Sequence, residues 1–231
     1  MEYTRATWNE NHKRLRELLK KKSTFDSAIN LFLDQHARIH SSDVSGIDCI
    51  TFEDELWEGM DEITFRTGQN KKGRTVAYGM WHSTRIEDIT MNILVDGEKQ
   101  VIDQENWLKR INSSIYDTGN ALDENEILKF SQTIDMQALR DYRKAVGRKT
   151  REIVHRLEYA DLKRKVSELG LEKIIELGAV ANDEAAIWLI DFWGKKTVAG
   201  VLLMPVTRHH MVHINESMEA KKRGLRKIKK R

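Results

Sequence analysis

The segment TVAYGMWHSTRIEDITMNILV, residues 75–95, decides the fold of this chain. Every third or fourth position of the segment falls on one helical face, and that face holds Gly79, His82, Ile86, Ile89 and Ile93. The one proline of the chain, Pro205, lies outside the segment, so the commonest helix breaker is absent from it. A histidine therefore lies on the apolar stripe that a helix turns toward a protein core.

Three more long segments show the same helical spacing of apolar residues: 24–41, 136–159 and 197–218. Shorter helices are predicted at 8–21, 123–131, 161–177 and 183–193, and alternating strand patterns are absent. The sequence therefore predicts an all-α protein in which four long amphipathic helices form a four-helix bundle. The long connection from about 42 to 73 permits a crossover, so that the first two bundle helices run parallel.

The composition predicts one globular domain over residues 1–220 and a basic tail over 221–231. Of the 231 residues, 40% are hydrophobic and 32% are charged, which is typical of globular proteins with charged helix surfaces. The tail contains eight Lys and Arg residues and no acids, and without it the net charge of +3 becomes −5. We therefore expect a disordered tail that touches nucleic acid weakly, on an acidic body that does not bind it.

Several classes of protein are disfavoured by what the sequence lacks. It has no run of about 18 apolar residues, so a membrane span is not expected. The N-terminal segment lacks the apolar core of a secretion signal, and the lone cysteine, Cys49, cannot form an internal disulfide. We expect a cytoplasmic protein. No basic pair flanks Cys49, so it is not expected to be a catalytic nucleophile.

The segment MPVTRHHMVHIN, residues 204–215, places three histidines within five positions. His209 and His213 are four residues apart and continue the apolar stripe of Leu202 and Val206. Imidazoles at this spacing can bind one metal ion together. His210 and His213, three apart, form an alternative pair that the helical spacing does not exclude.

His82, His209 and His213 together would supply three neutral nitrogen ligands from two helices. Three protein ligands leave one coordination position open, which is the pattern of catalytic zinc sites. Zinc, nickel, iron and copper all accept imidazole ligands, so the residues alone do not fix the metal.

The remaining histidines have simpler interpretations. His36 and His40 form a second pair four residues apart, favoured as a helix C-terminal turn in which histidine suits the helix dipole. Alternatively, if the bundle brings this turn beside His82, one of the two histidines orients it. His12 and His155 lie among charged residues and are interpreted as surface side chains.

Two other side chains are candidates for the surroundings of the site. Arg85 follows His82 by three residues and could position an anionic substrate group, or form a salt bridge with Glu87, Asp88 or an acid on a neighbouring helix. Asp191, in the apolar run WLIDFW between Trp188 and Trp193, could orient a ligand histidine or form a salt bridge at the helix end.

The segments WHSTRIEDIT (81–90) and PVTRHHMVHIN (205–215) resemble the DinB-like superfamily, whose members are metal-binding four-helix bundles. The resemblance covers residues 24–217, and DFWGKK (191–196) is similar to one subgroup. It implies one ligand histidine on the second long helix and an HxxxH pair on the fourth, which map to His82, His209 and His213. The added His210 departs from the pattern and leaves the His209 assignment open.

The resemblance implies a bacterial protein that binds zinc or nickel, or alternatively iron. It further implies a thiol transferase or isomerase, or a hydrolase, acting on a small electrophilic molecule with a low-molecular-weight thiol such as bacillithiol. Some family members are induced by DNA damage, so a non-enzymatic stress-response protein is the alternative. Helical bundles of this kind are often homodimers.

Overall fold

The structure is a computed structural model that describes residues 3–228, and the side chains of residues 3–226. Within this part of the chain the regular elements are helices and no strand is present, so the expected all-α class is confirmed. Two isolated antiparallel bridges join Gln69 to Thr75 and Lys165 to Thr197.

The helices follow one another through short turns. In chain order they are α1 (Arg5–Leu18), α2 (Phe25–Ile39), α3 (Ser42–Ser45), α4 (Phe52–Trp57), α5 (Glu62–Thr67), α6 (Val76–Asp88), α7 (Trp107–Ile111), α8 (Glu124–Thr133), α9 (Met136–Arg156), α10 (Tyr159–Lys163), α11 (Glu168–Glu176), α12 (Glu184–Gly194), α13 (Val198–Leu203) and α14 (His209–Ile228). Two π-helical stretches, Ile89–Asp96 and Met204–Arg208, continue α6 and join α13 to α14. Short 3-10 turns lie at Lys22–Thr24 and Val101–Asp103.

The predicted long helices correspond to α2, to α6 with its π-helical continuation, to α9, and to α13 through α14. The helix predicted at 161–177 is instead divided into α10 and α11. The backbone between them pairs with the start of α13, where Val166 N donates to Lys196 O at 3.1 Å and Val198 N donates to Arg164 O at 2.9 Å. These bonds hold the segment extended, a tertiary contact that helical spacing does not reveal.

Helix α6 and its continuation form the centre of the protein, because every residue from 76 to 95 is buried. Thr75 caps the start of α6, and its hydroxyl accepts a hydrogen bond from Tyr78 N at 3.0 Å. Helices α9 and α14 pack directly on α6, and α2 contacts both of them. Polar residues of α6 are therefore enclosed between α2, α9 and α14.

The C-terminal segment differs from the expected disordered tail. Helix α14 continues through 221 to Ile228, and Lys221 Nζ donates to the carbonyl oxygens of Glu55 at 3.0 Å and Glu58 at 2.5 Å. Gly224 packs against Gly68, where an added Cβ would come within 3.0 Å of the other glycine. The first part of the basic segment is thus a docked helix end, and residues 229–231 lie outside the described residues.

Across the described residues, none of the helices combines the length and the apolar character needed to cross a lipid bilayer.

Candidate metal centre

The structure brings together the three histidines predicted as ligands, His82, His209 and His213. His209 Nε2 lies 3.2 Å from His82 Nε2 and 3.1 Å from His213 Nε2. His82 and His213 are buried and His209 is partly buried, and rings so close, with one nitrogen from each within 4.8 Å of the others, could hold a metal ion. We call these residues the three-histidine site.

Two helices position the three rings. His82 lies in the middle of α6, while His209 and His213 occupy the first turns of α14. The π-helical stretch before α14 contains Pro205, which has no N–H to donate. The hydroxyl of Thr207 donates to the carbonyl oxygens of Leu202 at 2.8 Å and Leu203 at 2.9 Å, so these carbonyl groups remain satisfied.

A backbone carbonyl orients His82, and a carboxylate lies beside His213. His82 Nδ1 lies 2.8 Å from the carbonyl oxygen of Thr118, and His213 Nδ1 lies 3.2 Å from Glu216 Oε2. Because both neighbours are acceptors, we assign the ring proton of each histidine to Nδ1, which leaves a lone pair at each Nε2 on the side of His209. Glu216 is itself held by Lys72 at 2.8 Å and Arg74 at 3.0 Å.

The surroundings keep the imidazoles neutral, as metal ligands must be. Burial lowers the pKa of His82 and His209 well below its ordinary value, and the neighbouring imidazole of His213 lowers both further. Burial also lowers the pKa of His213, although Glu216 opposes this change. Burial alone would raise the pKa of Glu216, but its bonds to His213, Lys72 and Arg74 outweigh burial and keep it ionised.

A cavity of about 290 Å³ lies directly against the three-histidine site. All three ring systems line it, and Arg74 and Asn120 are the other polar side chains in its wall. The rest of the wall is apolar and comes from Ile86, Trp188, Leu189, Phe192, Trp193, Met204 and Pro205. Apolar walls with a few convergent polar groups are typical of sites for small ligands.

His210 belongs to a different group from its neighbour His209. Its Nε2 lies 3.0 Å from Glu87 Oε2, and the same carboxylate is in contact with His36 of α2 and with His40, the residue after α2. We call His36, His40, Glu87 and His210 the glutamate cluster; all four are fully buried. The favoured interpretation of His36 and His40 as a helix C-terminal turn is therefore incomplete, because both rings contact an acid of α6.

Arg85 does not reach the cavity. Its guanidinium is fully buried and bonds Asp88 Oδ2 at 3.0 Å, Tyr142 Oη at 3.0 Å and Gln100 Oε1 at 2.7 Å. Of the two roles considered for Arg85, the structure shows the salt bridge with Asp88 and not an anion-binding position. Three-residue spacing from His82 suggested a shared face, but a helix buried all round directs Arg85 toward α9 instead.

Of the two roles considered for Asp191, the structure shows the salt bridge at the helix end: Asp191 is exposed and pairs with Lys195 one turn later, at 2.5 Å, and it orients no histidine. The expectation for His12 is corrected. His12 is buried, not at the surface, and its Nε2 donates to Leu203 O at 2.9 Å while its ring stacks on Trp8. Trp188 and Trp193, from the same apolar run as Asp191, line the cavity.

Sequence reasoning missed the groups that support the site. Glu216 follows His213 by three residues, so helical spacing could have identified it. Arg74, Thr118 and Asn120 come from connections before and after α6, and residues so placed give no periodic signal. The acid of the glutamate cluster, Glu87, resembles a solvent-facing residue until the burial of the whole of α6 is known.

Comparison with known proteins gives no further support for this site. No family model matches the chain, and no curated protein matches it. The assignment of the site therefore depends on the positions and chemistry of its own residues.

Proposed function

We propose that this protein is a metal-dependent enzyme of DinB-like type, built on a four-helix bundle whose first and second long helices are joined by a crossover. In this proposal it transfers a low-molecular-weight thiol to a small electrophilic molecule, or isomerises or hydrolyses such a molecule. His82, His209 and His213 hold a divalent ion, with zinc or nickel preferred over iron.

One observation carries the metal assignment. The Nε2 atoms of His82 and His213 both present lone pairs to His209 Nε2 at 3.1–3.2 Å. A neutral His209 can place at most one proton at this nitrogen, so it can satisfy only one of its two neighbours. A cation between the rings accepts all three lone pairs at once, whereas without one a buried acceptor remains unpaired.

The cavity supports an enzymatic role over a purely structural one. Three protein ligands leave a coordination position for water or substrate, and here the ligand rings face a cavity. A divalent ion bound there would supply Lewis-acid chemistry, by lowering the pKa of bound water or by holding a thiol as its anion. The protein supplies the orientation of the ligands through Thr118 and Glu216, which hold two of the rings.

The walls of the cavity indicate the class of substrate. Its volume of about 290 Å³ is at the small end for ligand sites, so it fits a compact molecule. Trp188, Phe192 and Trp193 offer flat apolar contacts, and Asn120 offers an amide. Arg74 adds a cation, partly neutralised by Glu216 at 3.0 Å. These groups favour an apolar or aromatic body with one polar group.

Metal analysis and turnover by the full-length protein test the proposal together. We compare wild type with the double variant His82→Asn/His213→Asn, and use His155→Asn, at an exposed position, as the matched control. Each protein is supplied with Zn²⁺ or Ni²⁺ and incubated with chlorodinitrobenzene and one thiol: bacillithiol, mycothiol, glutathione or cysteine. In this assay a carbon–sulfur bond forms, chloride leaves, and the thiol proton passes to solvent. An ester substrate without thiol tests hydrolysis.

We expect the double variant to lose one equivalent of metal and its turnover, and the control to keep both. Equal metal content in wild type and double variant would refute the ligand assignment. Full metal binding by wild type without turnover of any of these substrates would favour the non-enzymatic alternative.

A further inference from the structure

The glutamate cluster is a second convergence of metal-binding side chains, separate from the three-histidine site. Helix α2 supplies His36 and the adjoining His40, α6 supplies Glu87, and α14 supplies His210. All four side chains have no exposed surface. Their burial is unusual, because ionisable side chains are seldom fully enclosed unless they are paired or bind an ion.

The side chains of the cluster are close together around the carboxylate of Glu87. His36 Nε2 lies 2.9 Å from Oε1, while His40 Nε2 and His210 Nε2 each lie 3.0 Å from Oε2. The rings of His36 and His40 stack with their centroids 4.2 Å apart. His36, His40 and Glu87 meet the distance requirement for three ligands of one ion.

Hydrogen bonding does not account for this arrangement. Only the contact between His36 Nε2 and Glu87 Oε1 has the geometry of a hydrogen bond. His40 Nε2, His210 Nε2 and Glu87 Oε2 are buried without a hydrogen-bond partner among the described residues, although they are only 3.0 Å apart. Side chains that bind one metal ion lie close together but are poorly aligned for hydrogen bonds to one another, because each lone pair is directed at the ion and not at its neighbour.

Among the described residues, Glu87 also lacks a Lys or Arg partner. Within the described chain, the ion pairs of Glu87 involve only histidines.

Arg143, an arginine whose charge acts on His40 and His210, already bonds other groups. Arg143 of α9 bonds Glu53 Oε2 at 2.7 Å, the hydroxyls of Ser83 and Thr84, and the carbonyl oxygen of Ile39. It therefore neutralises Glu53 and not Glu87. A carboxylate without a charged partner is strongly unfavourable in a protein interior, and a bound cation would remove this penalty.

We propose that His36, His40 and Glu87 bind a second divalent ion, with His210 beside Glu87 Oε2 as the fourth group of the site. Two or three imidazoles and a carboxylate suit Zn²⁺ best among the common divalent ions. Ligands in a tetrahedral zinc site are about 3.3 Å apart, as bond lengths near 2.05 Å imply. The present spacings of 2.9–3.0 Å would therefore widen by only a few tenths of an ångström.

This second ion is structural. The glutamate cluster lines none of the cavities described for the protein, and its side chains have no contact with solvent. Its ligands come from α2 and α6, and its fourth group from α14, so the ion would tie the central helix to two others. A closed site of this kind contributes its binding free energy to folding.

Zinc stoichiometry in the full-length protein tests this proposal. Wild type, Glu87→Gln and the double variant His82→Asn/His213→Asn are freed of metal with a chelator and titrated with Zn²⁺, and bound zinc per chain is measured. The double variant is informative even if Glu87→Gln fails to fold, because it leaves the glutamate cluster intact. The Tm of each protein is recorded with and without Zn²⁺.

We expect two equivalents in wild type, and one in each variant. We also expect the double variant to retain a Zn²⁺-dependent rise in Tm, because the closed site remains. Zinc binding by wild type that is lost completely in the double variant overturns the second site while leaving the three-histidine site intact. One equivalent of zinc in wild type that persists in the double variant, and is lost in Glu87→Gln, overturns the three-histidine site and leaves the second site intact. No bound zinc in any protein overturns both.

Discussion

His209 and His210 are adjacent in sequence but serve two different groups of side chains. His209 Nε2 lies 3.2 Å from His82 Nε2, whereas His210 Nε2 lies 3.0 Å from Glu87 Oε2. Their ring centroids are 6.3 Å apart and the rings are nearly perpendicular. Consecutive helix positions point about 100° apart, so one turn of α14 can serve both the three-histidine site and the glutamate cluster.

Substitution of these two neighbours should therefore have different effects. We expect His209→Asn to reduce metal binding and turnover at the three-histidine site, with little change in the free energy of unfolding of the metal-free protein. His210→Asn should lower that free energy by about 1–3 kcal/mol, because it removes one of the two imidazoles that lie 3.0 Å from the buried Glu87 Oε2. Urea unfolding and zinc analysis of both variants measure the difference. Identical effects of the two substitutions would contradict the assignment of His209 and His210 to two separate groups of side chains.

The ligand histidines could be predicted because they obey helical spacing on apolar stripes. Leu202 and Val206 are fully buried, as the stripe leading to His209 requires, although a π-helical stretch intervenes. Arg85 could not be placed in the same way. The stripe argument assumes that the opposite face of a helix meets solvent, but α6 is enclosed on all sides.

The buried pair of Arg85 and Asp88 should stabilise the fold and have no direct role in metal binding. Asp88 also accepts bonds from Tyr142, Asn92 and the backbone of Val101, so it remains enclosed when its cation is removed. We expect Arg85→Met to lower the free energy of unfolding by about 3–5 kcal/mol, the usual cost of breaking a buried ion pair. Zinc stoichiometry of the folded fraction should be unchanged.

Lys195→Met is the matched control for Arg85→Met, because it removes one member of the exposed pair with Asp191. Exposed pairs contribute little to stability, so the urea midpoint should remain close to that of wild type. If Arg85→Met also left the urea midpoint unchanged but abolished turnover, Arg85 would have the anion-binding role that its position in the structure argues against.

The pH dependence of stability should depend in part on His12. Burial, and then the charge of Arg208, lower the pKa of His12 to about 4 from an ordinary value of 6.5. His12 Nε2 donates to Leu203 O, so Nδ1 would have to accept the added proton beside Arg208 Nη2, 3.3 Å away. The unfolded chain therefore binds this proton more readily than the folded protein does.

The sign follows from that difference in proton binding. Above about pH 6.5 neither state is protonated at His12, and its full contribution is present; as pH falls toward 4, only the unfolded state gains the proton, and stability is lost. We expect His12→Gln to lose less stability than wild type between pH 7 and 4.5, by on the order of 2 kcal/mol. Urea unfolding across this pH range measures it, with exposed His155→Gln as control. Parallel curves for wild type and His12→Gln would contradict the assignment.

The parts of the fold that could be predicted depend on residues that are close together in the sequence. The starts of α6 and α9 follow from Thr75 and Asp135, whose side chains accept bonds from the first turn of each helix. The docked end of α14 could not be predicted, because the bonds of Lys221 go to carbonyl oxygens 163 and 166 residues earlier. Charge alone suggested a solvated tail.

Gly147 of α9 allows this helix to approach the glutamate cluster closely. An added Cβ would lie 2.9 Å from His40 Nδ1 and 3.0 Å from Val44 Cγ1, both on buried side chains that cannot move into solvent. Alanine favours a helix over glycine by about 1 kcal/mol, but overpacking a buried contact costs about 1–3 kcal/mol. We expect Gly147→Ala to lower the free energy of unfolding by about 1 kcal/mol and to weaken zinc binding at the glutamate cluster.

Gly200→Ala in α13 is the matched substitution, since its Cβ would meet only the flexible side chain of Lys196, at 3.3–3.4 Å. There the gain in helix propensity should dominate, and stability should be unchanged or slightly higher. Calorimetric zinc titration separates the two effects: Gly147→Ala should weaken only the glutamate-cluster site, because His40 is displaced while His82 and His213 are not. If Gly147→Ala bound zinc as wild type does and melted no earlier, then His40 would have room that the structure denies it, and the close packing of α9 against this cluster would be wrong.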